Sequence, residues 1–157
     1  MRRAARPLLA LLLPLLAAPA AAAGLPQVVS NAKPNLKVRP ATISYTGDGT
    51  GLVGGSTGTS VRHPGRLPWS IYNHTRGVAR GLVWLDDCDP DCAEGTFTAS
   101  PVRVTVSRPR SGVFRKLTLS FRYRGKHVVD KRRAVYLPPQ AGAGGFWDYQ
   151  IISQRGF

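Results

Sequence analysis

The feature that most restricts how this chain can fold is a pair of strictly alternating runs in its second half. Val102, Val104 and Val106 alternate with Arg103, Thr105 and Ser107. Leu117, Leu119, Phe121 and Tyr123 alternate with Lys116, Thr118, Ser120, Arg122 and Arg124. Side chains of a strand change face at every residue, so a period of two makes each run a strand with one apolar and one polar face. Arg108-Pro109-Arg110-Ser111-Gly112 supplies the reversal between them. The hairpin then carries Arg103, Lys116, Arg122 and Arg124 on the side away from the core. From residue 103 to 133, eleven side chains are basic and one, Asp130, is acidic. Rows of like charge repel across a strand pair, which a purely structural surface would tend to avoid. The shared face and the charge bias predict a surface for an anionic partner. Phe121 and Tyr123 fall on the apolar face rather than among the arginines, which disfavours nucleic acid.

The acidic residues are concentrated elsewhere. Trp84 to Gly95 reads W-L-D-D-C-D-P-D-C-A-E-G and holds five of the eight carboxylates together with both cysteines. Asp89-Pro90-Asp91 is turn chemistry, and a disulfide between Cys88 and Cys92 would close a small ring around it. So short a loop removes little chain entropy, about 2 kcal/mol by the loop-closure relation. The favoured reading is a cystine-closed acidic turn between two strands. Two others compete with it. Asp87, Asp89 and Asp91 have the D-x-D-x-D spacing of a calcium loop, but Cys92 stands where glycine is expected and Thr98 where a closing Glu is expected. Asp87 with Glu94 is a possible acid/base pair for a secreted hydrolase. Zinc lacks the second half of a site, because His63, His74 and His127 are dispersed. No cofactor is implied.

Residues 1–23 have the form of a cleaved secretory signal: Arg2, Arg3 and Arg6, an apolar run from Leu8 to Leu16, and Ala21-x-Ala23 before Gly24. The run is too short for a membrane span, and no later segment is long and apolar enough. The expected location is therefore secreted, extracellular or wall-associated, where disulfides persist. The formal net charge of +14 favours anionic partners such as cell-envelope polymers.

Residues 24–40 are expected to be an extended or disordered arm, and 41–157 one β domain. Ala41 to Thr46 alternates as a first strand, and the glycine-rich stretch from Gly47 to Ser60 is expected to be a flexible loop. Trp69 is expected in the core rather than on a sugar-stacking platform. Val78 to Leu85 predicts a strand entering the acidic turn, and Thr96 to Ser100 a strand leaving it. Phe146 to Ile152 predicts a closing strand that carries Trp147 inward.

Asp87-Cys88-x-Pro90-x-Cys92-Ala93-x-Gly95, preceded by Tyr45-Thr46-Gly47-Asp48-Gly49 and Trp69 and followed by Pro101-Val102-Arg103-Val104, resembles a group of small exported actinobacterial proteins. The resemblance covers roughly residues 40 to 125. It implies export and the cystine turn, and it transfers no catalytic residue. Asp86-Asp87 stands where that group more often has Asn-Asp.

The expected fold is all-β, an antiparallel β-sandwich or open barrel. The leading functional expectation is a non-enzymatic binding module whose basic face meets an anionic envelope or extracellular partner. The alternatives are the carboxylate hydrolase, with or without calcium, and a protein ligand or inhibitor acting through the Cys88–Cys92 loop. Oligomeric state is left open.

Overall fold

Two tight turns set the architecture of the second half. Ser111 and Gly112 both have positive φ (51° and 73°), as do Arg124 and Gly125 (48° and 80°). That pattern closes two-residue hairpins whose twist matches the strands they join, and glycine adopts it without steric cost. The computed structural model describes residues 24–30, 35–139 and 144–155; the signal-like segment 1–23 lies outside them.

The first strands are short: β1 Val28–Val29, β2 Leu36–Lys37, β3 Ile43–Ser44, β4 Gly51–Gly54 and β5 Trp69–Tyr72. The later ones are long: β6 Arg76–Asp86, β7 Phe97–Arg110, β8 Val113–Tyr123, β9 Lys126–Leu137 and β10 Phe146–Arg155. β1 and β2 pair with each other; the other eight form one sheet in the order β10-β9-β8-β7-β6-β4-β3, with β5 also paired to β6. The ladders between these strands are antiparallel. The sheet is strongly curled into a half-barrel, the open arrangement among those expected.

The curl buries the apolar side of the alternation. Val104, Val106, Leu117, Leu119, Phe121 and Val128 point inward and meet Ile43, Tyr45 and Val53 from the short strands. Each such aliphatic or aromatic side chain contributes on the order of 2 kcal/mol when removed from water. Trp69 and Trp147 pack partly buried against this core, as expected.

The arm is extended, and its described residues are docked rather than disordered. Val28 and Val29 are buried in the core. The Gln27 amide donates to the Gly112 carbonyl (2.8 Å), the Phe114 amide donates to the Gln27 carbonyl (2.9 Å), and the Tyr72 hydroxyl donates to the Pro26 carbonyl (2.6 Å). Its prolines suppress periodicity, and Leu25, Val28, Val29 and Leu36 are spaced too irregularly to mark it as core.

The glycine-rich stretch is also more ordered than its composition implies, because β4 lies within it. The glycines there allow backbones to approach. A Cβ on Gly81 of β6 would overlap the Gly54 carbonyl of β4, so neither neighbour can yield cheaply. Gly81→Ala is expected to lower stability by about 1–3 kcal/mol, the usual cost of overpacking. Urea unfolding followed by tryptophan fluorescence checks this, and an unchanged midpoint would contradict the close approach.

Candidate anion-binding face

The outward side of the curled sheet is defined by register. One row runs Arg76, Ser107, Lys116, Arg133 and Gln150; the next runs Val78, Thr105, Thr118, Lys131 and Ser153. A third runs Arg80, Arg103, Ser120, Val129 and Arg155. None of the three contains a carboxylate. Arg80 sits directly opposite Arg103, and Lys116 directly opposite Arg133. Like charges so placed repel by a few tenths of a kcal/mol or more per pair. Among the described residues the one ion pair lies inside the sheet and neutralises neither.

The expected residues are placed unequally. Arg103, Lys116 and Arg122 share the outer face, Arg122 lying opposite His127 beyond the third row. Arg124 does not continue it. Its positive φ at the β8–β9 turn rotates it away, and its guanidinium lies over the Tyr123 ring at 5.2 Å from the centroid. There its charge reaches Asp87 of the acidic turn.

At the far end of the hairpin the outer face deepens into a groove of about 920 Å³. Arg108, Arg110 and Arg115 contribute from the hairpin, and Lys116, Lys131 and Arg133 from the rows. Tyr136 and Ile152, 52% and 48% exposed, add apolar wall. Arg115 is held in place: its Nε donates to the Arg110 carbonyl (3.3 Å) and its guanidinium stacks 4.2 Å from the Trp147 ring centroid. A guanidinium fixed this way loses less entropy on meeting an anion and keeps its terminal nitrogens free of the stacking contact. Sequence reasoning left Arg108 and Arg110 in the turn and did not single out Arg76, Arg80, Arg115, Lys131 or Arg133. The charge count between residues 103 and 133 was the available signal for most of them. Tyr136 takes the register parity of the inward Ala134 and packs against Trp147, ring centroids 5.6 Å apart, so it borders the groove from the end of the sheet and not from among the outer cations.

The acidic turn is what joins β6 to β7. Cys88 and Cys92 are bonded, with Sγ–Sγ 2.07 Å and Cα–Cα 3.9 Å. The nearby carboxylates are used to hold the backbone. Asp86 accepts the Cys88 amide (3.0 Å), Asp87 accepts Thr96 (2.7 Å) and Asp89 (3.4 Å), and Asp91 accepts Ala93 (2.8 Å) and Glu94 (3.0 Å). Asp87, Asp89 and Asp91 are not brought together: among the described residues no three His, Cys, Asp or Glu side chains gather as a metal site. Asp87 and Glu94 line none of the four described clefts.

The Thr96 amide holds the Asp87 carboxyl below its ordinary value, with help from the Asp89 amide and Arg124. That is the opposite direction from a general acid, which burial or a like charge must raise. The stabilisation it lends the turn is present above the unfolded aspartate value of about 3.9 and is lost as pH falls through the depressed folded value. The Asp87 carboxyl carbon is expected to titrate by NMR below pH ~3.9, with the Thr96 amide shifting in step. A midpoint at or above the ordinary value would remove this account of the turn.

A second polar centre lies inside the half-barrel. Asp130 and Arg132 are 1% and 6% exposed, on adjacent inward positions of β9. Arg132 donates from Nε and Nη2 to the Asp130 carboxylate (3.0–3.2 Å) and from Nη1 to the Tyr45 carbonyl (2.6 Å). The Gln154 amide donates to Asp130 as well (3.2 Å). Tyr45 follows β3 at one end of the sheet order and Gln154 lies on β10 at the other. The pair therefore ties the two ends of the sheet across its open side. Burial raises the Tyr45 hydroxyl, and the nearby Asp130 charge raises it further.

No known protein family matches the chain, and no curated protein or solved structure is found to be similar to it.

Proposed function

We propose that the protein is a non-enzymatic binding module, exported from the cell, whose outer sheet face holds an anionic polymer of the envelope or extracellular space. The observation that carries this reading is the pair of cross-strand like-charge contacts, Arg80–Arg103 and Lys116–Arg133, on rows without a carboxylate. A fold gains nothing from such contacts, whereas a polyanion converts both repulsions into attractions. The six cations around the groove add to the same field. Export is supported by the signal-like pattern of residues 1–23 and by the Cys88–Cys92 bond, which suits an oxidising compartment.

The acidic turn lends no comparable support to hydrolysis, since Asp86, Asp87 and Asp91 each accept backbone amides. Chemical-shift mapping with heparin as probe tests the location. Perturbations are expected at Arg103, Lys116, Lys131 and Arg133. A response confined to the Cys88–Cys92 turn would instead favour a loop-mediated protein contact and overturn the proposal.

A further inference from the structure

The outer face holds a second concavity. Pro68, Trp69 and Ile71 wall a cleft of about 480 Å³ that also contains Arg80 and Arg103. Its wall is rigid: the Trp69 Nε1 donates to the Pro40 carbonyl (3.0 Å), and its ring meets Tyr72 edge-on with centroids 5.1 Å apart. An apolar surface is thus fixed beside two arginines that face each other in register.

The first groove repeats this composition, with Lys116 opposite Arg133 and the exposed Ile152 as the apolar element. The two like-charge pairs, on β6–β7 and β8–β9, are four residues apart along the strands and, midpoint to midpoint, two strands apart across the sheet. At strand dimensions that is a diagonal of about 16 Å. Thr105 and Thr118 occupy the row between them, which ends at Lys131 in the first groove. No aromatic side chain lies in that row. A small anion fills one cleft and leaves the other like-charge pair unrelieved; a chain crossing the diagonal relieves both.

We infer that the two clefts are subsites of one site, and that its ligand is a linear anionic glycan long enough to engage Arg80–Arg103 and Lys116–Arg133 at once. This rests on the polyanion reading above and narrows it. Threonine hydroxyls between separated cation pairs suit hydroxyl-bearing rings with intermittent acidic groups. A single-stranded nucleic acid requires a succession of stacking faces, which the intervening row lacks. Sugar rings also present an apolar side to Pro68 and Ile71 in one cleft and to Ile152 in the other.

The test is titration calorimetry of the protein with heparin-derived di-, octa- and dodecasaccharides and with a single-stranded oligonucleotide of matched charge. Affinity is expected to rise about tenfold from the di- to the dodecasaccharide beyond the gain in overlapping registers, because the second cleft is then filled at high effective concentration. Arg80→Ser/Arg103→Ser removes that increment and leaves disaccharide affinity within about twofold, with its unfolding midpoint measured to show that the fold is retained. Binding without length dependence, or a double variant that binds the dodecasaccharide as wild type does, overturns the two-subsite inference and leaves the polyanion reading standing. Tighter binding of the oligonucleotide overturns the glycan assignment. No binding by any probe overturns both readings.

Discussion

Asp130→Leu is expected to lower the unfolding free energy by about 3–5 kcal/mol, the largest effect of any single substitution considered in this molecule. The carboxylate is enclosed and accepts from Arg132 and Gln154. Removing it leaves the Arg132 guanidinium buried without its counter-charge, and desolvating an unpaired charge costs several kcal/mol. The paired change Asp130→Leu/Arg132→Met is expected to recover most of the loss. It removes both charges and leaves chiefly the Tyr45 carbonyl without the Arg132 donor, at roughly 1 kcal/mol. Urea denaturation of the two variants and the wild type checks the order. A double variant less stable than Asp130→Leu would contradict the charge-pair account.

Lys116→Ser/Arg133→Ser is expected to move stability and binding in opposite directions. The two residues face each other across β8 and β9, so their loss relieves repulsion and leaves the fold unchanged or more stable by a few tenths of a kcal/mol. Heparin affinity is expected to fall by roughly tenfold or more, since two cations of the groove are lost together. The measurements are the urea midpoint and the dissociation constant at one fixed ionic strength. Loss of stability together with affinity would place these residues among the fold's supports instead.

The legible parts of this fold were those written in strict period two. The β7–β8 hairpin and β10 follow the alternation of Val102 to Tyr123 and Phe146 to Ile152, whereas β6 is marked by the short apolar run Val78 to Leu85. Only the second half of β9 is legible, as the strand-like run Arg133 to Leu137 before Pro138-Pro139; the first half is hidden because its inward positions carry Asp130 and Arg132, which break the apolar period of a strand beginning Lys126-His127-Val128. Those same two residues form the buried pair, so the local exception and the tertiary contact across the barrel have one cause. β4 was hidden because Gly51 and Gly54 bound it; the purpose of Gly54 is visible only when Gly81 lies alongside, and that of Gly51 only when the Tyr45 ring does.

For the candidate site, alternation placed Arg103, Lys116 and Arg122 on one face. It put Arg124 there too, because no periodicity argument anticipates the positive φ that turns it toward Asp87. Arg80 and Arg133 came from strands not paired in advance with the hairpin. Their opposition to Arg103 and Lys116 is a property of register, which sequence alone leaves open.

The most direct measurement of the central claim is the salt dependence of heparin binding. Neutralising several cations at once releases counterions from the polymer, so log K should fall linearly and steeply with log salt, and the slope should shrink in Lys116→Ser/Arg133→Ser. Binding that ignores salt, or a slope the double variant leaves unchanged, would contradict an outer face organised around a polyanion.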